Sequence, residues 1–253
     1  MSRQRIVEVA TAILDADGLD ALSTRRLAHD LGVRAPSLYN HFATKDAILD
    51  AVADAIIERV DLRMFGRMSG AGDWATALTE WARAYRGALA AHPNAVPFLA
   101  HGPALRPAAL SLADAVYGAL VEAGWPPSYA TRIGAAMRYF VAGSALGSFA
   151  LGFPDDPSVY AQRYPNLRDA HRLRENRQRV DDGAFELGLA TLVRGFESLY
   201  AQVVAHPVNG SGSAPGPVQP QFEQTVQEGM PSAGGAGCDG LDSVIGPDAS
   251  SVV

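Results

Sequence analysis

The side chains best equipped for chemistry lie close together: Ser23, Thr24, Arg25, Arg34, Ala35, Pro36, Ser37, Tyr39, Asn40, His41 and Lys45. Most are hydrogen-bond donors and cations rather than a nucleophile beside a base. Ser23 or Thr24 supplies a helix N-cap, and backbone amides at helix starts attract phosphate oxygens. Ser37, Tyr39, Asn40 and His41 fall on one turn that begins at Pro36, where a missing amide is tolerated. All four can meet base edges or phosphates in a major groove. Lys45 is the only lysine among 21 basic residues. It opens the next helix, where a cation opposes the macrodipole, so an external anion such as DNA phosphate would compensate it. Taken singly, Tyr39 and His41 also fit half-buried core positions with polar tips, and Lys45 a solvated surface position.

Three helices must hold these groups. Ile6, Ala10, Ile13 and Leu14 recur at helical spacing and stop at Gly18; Leu27, Ala28 and Leu31 form a shorter stripe that ends at Gly32. Ile48, Leu49, Val52, Ile56 and Val60 mark a helix from Lys45 to about Val60. Gly32 provides the left-handed residue of a tight turn, and Val33 can dip inward after it. Leu27, Leu31, Val33, Leu38 and Phe42 then close against Ile6, Ala10 and Ile13, leaving the turn from Ala35 to His41 projecting. Two short helices joined by a glycine-containing turn make a helix-turn-helix.

Beyond this unit the periodicity stays helical. It predicts helices over Trp74–Ala91, Ala108–Glu122, Ser128 to about Ala150, and Ala184–Val204. No stretch alternates as a strand does and no repeat occurs, so the fold class is all-α. The longest apolar run, Tyr139 to Phe153, is bracketed by Arg138 and Asp155 and is shorter than the roughly 20 residues a membrane span needs. Its small residues suit packing against another helix. Six arginines between Arg163 and Arg179 lie in a segment, 152–183, that reads as solvated rather than as a lid.

The chain has 253 residues and a formal net charge of −6, which does not advertise a nucleic-acid partner. Placement changes its meaning. Residues 202–253 hold nine glycines, six prolines, five acids and no Lys or Arg, the composition of a flexible tail. The rest is close to neutral, with Arg25, Arg26, Arg34 and Lys45 gathered around the projecting turn and Asp15, Asp17 and Asp20 near the end of the first helix. One cysteine, Cys238, forms no internal disulfide or paired-cysteine metal site. An opening without an apolar signal core points to the cytoplasm and to no membrane. HExxH, GxSxG and phosphate-cradling glycine motifs are all missing, which disfavours an enzyme. The competing reading is a helical interaction module that uses its helix-turn-helix only for packing.

The segment from about Arg5 to Ala55 resembles the DNA-binding domain of the TetR (tetracycline-repressor-like) family of transcriptional regulators. The likeness is carried by Ala10-x-x-Ile-Leu, Gly18-Leu, Leu22-Ser-Thr-Arg-Arg-Leu-Ala, Leu31-Gly-Val33, and Pro36-Ser-Leu-Tyr-x-His-Phe42-x-x-Lys45-x-x-x-Leu49. It implies that Arg25 approaches DNA, that Ala35 to His41 enters the major groove, and that Tyr39, His41 and Lys45 contact phosphates. The remainder is similar to the tetracycline-repressor-type C-terminal domain through Asp73-Trp, Tyr85-Arg-x-Ala-Leu-x-x-His-Pro93, Ala123-Gly-Trp and Ala184-Phe-Glu-Leu-Gly-Leu-x5-Gly195-Phe-Glu.

That likeness implies a homodimeric repressor that binds a palindromic operator in double-stranded DNA and is released by a small-molecule effector. The domains would be a reading head over 1–46, a connecting helix over 47–62, an effector and dimerisation domain over 63–201, and the tail. Gly143, Gly147, Gly188 and Gly195 would allow close approach of the last two long helices across the two-fold axis. Trp81, Tyr85, Phe98, Leu99, His101, Tyr117, Met137, Tyr139 and Phe140 would furnish the effector pocket, with Trp125 and Phe149 near. Positions that hold a chelated drug in the tetracycline repressor are here mostly Trp81, Leu99, Gly102, Tyr139 and Gly147, which cannot ligate a metal. A mainly apolar or aromatic effector follows, with no metal and no cofactor.

Overall fold

In the computed structural model, the described residues are 1–70, 72–100, 106–161 and 163–204, with His101 described in its backbone only. They form helices and turns, without strand. The first three helices follow their local signals. Helix α1 (Arg3–Asp17) is capped by Ser2, whose side chain accepts from the Arg5 amide, and it ends at Gly18 with φ +82°. Helix α2 (Thr24–Asp30) takes Ser23 as its cap, so Thr24 is the first helical residue rather than the capping one. Gly32, at φ +67°, turns the chain, and the Val33 amide returns to the Ala28 carbonyl. Helix α3 (Pro36–Tyr39) is one turn long, and Leu38 and Phe42 anchor it in the core. Helix α4 (Lys45–Ile57) begins at a Thr44 cap and carries an acid, Asp46, in its first turn.

The core runs without a break from Ile6 through α4 into the rest of the chain. A short helix α5 (Arg63–Gly66) leads to α6 (Trp74–Ala90); α7 (Val96–His101), α8 (Pro107–Glu122), α9 (Pro127–Ala145) and α10 (Arg177–Val204) follow. Helices α6, α8 and α9 pack together, and α10 lies against α6 and α9. One end is stapled by rings: Trp74 meets Trp125 edge-on at 5.3 Å, and Tyr200 lies 5.0 Å from Trp125 and donates its hydroxyl proton to the Ala123 carbonyl.

Several boundaries move from those the periodicity predicts. Helix α4 stops at Ile57, although Val60 stays buried beyond it. Helix α9 ends at Ala145, because Gly143, Ser144, Gly147 and Ser148 weaken helix propensity while apolar residues continue. A 3-10 turn at Phe149–Gly152 then carries Ala150 into the core. The arginine-rich segment contains short 3-10 turns, and α10 starts at Arg177, inside it. No helix among the described residues is long and apolar enough to cross a membrane. Helix α10 reaches Val204, past the expected start of the tail, and residues 205–253 lie outside the described set.

Candidate nucleic-acid interface and ligand cavity

The turn after Gly32 decides which side chains of the helix-turn-helix meet solvent. Leu38 and Phe42 point inward at 1% and 3% exposure, which turns Tyr39 out to 54%. Asn40, Pro36, Arg34 and Arg25 are exposed, whereas Ala35, Ser37, His41, Thr24 and Lys45 are half-buried. Ser23 is exposed while its hydroxyl caps α2. The structure therefore gathers the predicted set around α3 and the starts of α2 and α4. Among the described residues Arg26 pairs with Asp30 at 2.7 Å and Asp17 at 3.2 Å, whereas Arg25, Arg34 and Lys45 form no ion pair. Hydrogen bonds from His29 and Arg26 hold the Asp30 carboxyl below its ordinary range. Around the projecting turn, then, three cations of the reading head are left without a carboxylate among the described residues.

One residue that no motif or spacing singles out supports this face. Arg3 donates to the His41 carbonyl and its guanidinium lies 4.0 Å from the centre of the Phe42 ring. It thereby clamps the end of α3 to the first turn of α1.

A second junction ties α1 to the body. Asn94 donates to the Leu14 and Asp15 carbonyls at 3.0 Å, and His92, buried at the end of α6, lies between Asp15 and Arg59. Helix α8 is fastened to α4 in the same manner: Arg106 meets Asp50 at 2.9 Å, and the Ala108 amide donates to Asp54 at 3.1 Å.

Two cavities adjoin the α6–α8–α9 core. The larger, about 240 Å³, is lined by Trp81, Val116, Tyr117, Thr131, Gly134 and Arg138 among others; the smaller, about 90 Å³, has Ile57, Tyr85, Leu99 and Arg106 in its wall. Trp81, Tyr85, Leu99 and Tyr117 are thus brought to this region. Met137 is buried in the core without lining either cavity, and Phe98 lies under the Arg106 guanidinium at 4.5 Å. The side chain of His101 and all of Gly102 lie outside the described residues. Tyr139 and Phe140 face elsewhere. Tyr139 is 74% exposed, and Phe140 stacks on Phe185 of α10 at 5.4 Å. Trp125 belongs to the ring staple and Phe149 is exposed. Arg106 and Arg138, which no periodicity marks, are the polar side of the cavity walls.

Gly143, Gly147 and Gly195 are exposed, with no atom within 4 Å of where a Cβ would stand. Gly188 differs: a Cβ there would come within 2.7 Å of the Phe140 ring, so its missing side chain is used inside the chain. Tyr139 and Gly143 on α9 and Leu146, the residue capping its end, follow i, i+4, i+7, and exposed Leu187 lies on the neighbouring α10.

A helix-turn-helix with a cationic face, joined through one core to a helical body with two cavities, is the arrangement of a protein that can hold both DNA and a small ligand. Comparison with known proteins places it. Residues 6–52 match the model of the bacterial regulatory proteins of the tetR family, and residues 68–200 match the tetracyclin repressor-like C-terminal domain. The tetracycline repressor protein class A from transposon 1721 of Escherichia coli is 34% identical over 196 residues, covering 75% of this chain and 88% of that one. An HTH-type transcriptional regulator of Saccharopolyspora erythraea is 34% identical over 168 residues, covering 66% and 70%. Among solved structures, a possible TetR family transcriptional regulator from Streptomyces coelicolor aligns with a TM-score of 0.66 at 33% identity, covering 78% of this chain and all of that one. ActR from the same organism, in complex with actinorhodin, aligns at 0.62 with 29% identity, covering 78% and 97%.

The chain belongs to the TetR family of DNA-binding, ligand-responsive transcriptional repressors, which are not enzymes. Among the described residues no Asp, Glu, His or Cys lines either cavity, and no group of three such side chains is placed to hold a metal ion.

Proposed function

We propose that this chain is a homodimeric cytoplasmic repressor that holds a palindromic operator with two α3 turns and lets go when a small, mainly apolar or aromatic effector fills the cavities. The observation that carries the DNA half is the 54% exposure of Tyr39 beside the half-buried His41 and Lys45, since a helix-turn-helix used only for packing would bury the Tyr39 ring. In this reading Tyr39, His41 and Lys45 meet phosphates, Arg25 and the Ser23 and Thr24 hydroxyls flank them, and Arg34, Ala35, Pro36, Ser37 and Asn40 approach the bases.

Residues 1–46 read DNA, residues 47–62 carry the signal, and residues 63–201 bind effector and partner. The apolar positions left open on α9 and α10, with Gly143, Gly147 and Gly195 between them, support a two-fold helix bundle. Gly188 serves the α9–α10 contact within the chain instead. One α3 spans only a half-site, so a two-fold partner supplies the second. Helix α4 is the lever. It is held by α8 through Asp50 and Asp54, so a shift of α8 over an occupied cavity moves both heads. A coupling of about 1–3 kcal/mol weakens operator binding by roughly 5- to 150-fold.

Sedimentation of the full chain, alone and with a duplex carrying an inverted repeat, tests the assembly. Two chains per duplex are expected; a single chain per duplex contradicts the reading.

A further inference from the structure

The two cavities share Leu112, Ala113 and Arg138 in their walls, so a wider and a narrower cavity lie side by side with a polar step, Arg138, between them. The polar groups on that step are nearly all donors. Trp81 Nε1 is buried without a hydrogen-bond partner among the described residues. One terminal nitrogen of Arg106, a side chain only 5% exposed, is likewise orphaned, while its Nε holds Asp50. Arg138 lines both cavities and pairs with no carboxylate among the described residues. Burial pushes the Tyr85 phenol above its ordinary pKa, only partly offset by the Arg138 charge and by a hydrogen bond from that guanidinium, so its hydroxyl keeps its proton. The Thr131 hydroxyl donates to the Pro127 carbonyl.

A neutral hydrocarbon would fill the cavity and leave the Trp81 and Arg106 donors unanswered. A ligand with an oxyanion answers them, because charge-assisted bonds to a guanidinium are the strong ones. Building on the effector reading above, we infer that the effector is a small aromatic acid: one or two rings in the larger cavity and a carboxylate held by Arg138, within reach of Trp81 and Tyr85 and facing Arg106. The volumes set the size: about 240 Å³ takes one or two rings, and even with the adjoining cavity of about 90 Å³ the space stays at the lower end of the roughly 300–1,000 Å³ of pockets for drug-sized ligands.

Calorimetry and thermal shift on the DNA-free full chain provide the test, with benzoate, phenylacetate and 2-naphthoate as probes, each beside its primary amide. At least one acid is expected to bind about tenfold or more tighter than its amide. Arg138→Gln should bring that ratio to near one while the amide's affinity holds, and Arg138→Met, which keeps the aliphatic stem, should do the same. Amides binding as tightly as acids, a preference that survives both variants, or no acid binding at all would overturn the inference. Because DNA is absent, these outcomes are separate from failure of the operator reading.

Discussion

His92 Nδ1 lies 2.9 Å from both carboxylate oxygens of Asp15, joining the end of α6 to the end of α1. Arg59 approaches the other ring nitrogen at 3.2 Å and can only donate, so Nε2 accepts and Nδ1 carries the proton toward Asp15. A buried hydrogen bond to a charged group then ties reading head to body. His92→Ala should cost about 1–3 kcal/mol of stability in chemical denaturation. In a double-mutant cycle with Asp15→Asn the two losses should fail to add. Simple additivity would show that the pair does not couple head and body.

Lys45 stands at the first position of α4 without an ion pair among the described residues, and its half-exposed side chain borders the reading turn. Lys45→Ala should weaken binding to every duplex alike and make the slope of log affinity against log salt shallower by about one. Fluorescence anisotropy over a salt series reads both effects. An unchanged slope would remove Lys45 from the phosphate contacts.

Much of the reading head is legible in the sequence because its signals are local: the Ser23 cap, the φ +67° at Gly32, and Pro36 at the first position of a helix. The cavity is not legible in the same way. Tyr139 and Phe140 lie in an aromatic, apolar run, and which face of α9 looks inward depends on what packs there; α10 takes Phe140 and leaves Tyr139 in water. Arg3 and Arg106 find partners 38 and 56 positions away, where no spacing rule reaches. The start of α10 is masked for a simpler reason: Arg177, Gln178 and Arg179 are exposed and show no apolar stripe.

Two glycines on α10 should behave oppositely. Gly188→Ala places a methyl within 2.7 Å of the Phe140 ring and should destabilise the fold by about 1–3 kcal/mol. Gly195→Ala meets nothing within the chain and gains helix propensity of up to about 1 kcal/mol, so any loss it causes should appear in dimer dissociation. Leu187→Glu, at a position 72% exposed, should raise the dimer dissociation constant in sedimentation. A monomer–dimer equilibrium unmoved by both would place the interface elsewhere.

Tetracycline with magnesium should leave operator binding unchanged at micromolar concentration, and chelation by EDTA should make no difference. Among the described residues the cavity walls hold aromatic, aliphatic and cationic groups and no carboxylate, imidazole or thiol, so a chelated drug finds neither its metal contacts nor room for its rings. Release that depends on magnesium would contradict this.

The phenol of Tyr85 is pushed up by burial, so the folded protein keeps a proton there that the unfolded chain loses. Its contribution to stability is present in full below about pH 10 and is lost as pH rises through the folded-state value. Burial also raises the Tyr160 phenol, so spectrophotometric titration should show two tyrosines lagging the others, and Tyr85→Phe should remove one of them.

The account stands or falls on sequence-specific DNA binding, and selection from random duplexes at low salt with the wild-type chain measures it. The prediction is enrichment of an inverted repeat whose half-sites lie about one helical turn, or a multiple of it, apart, with enrichment lost in a Tyr39→Ala, Lys45→Ala double variant that remains folded. Equal retention of all sequences, or no retention at all, would contradict it.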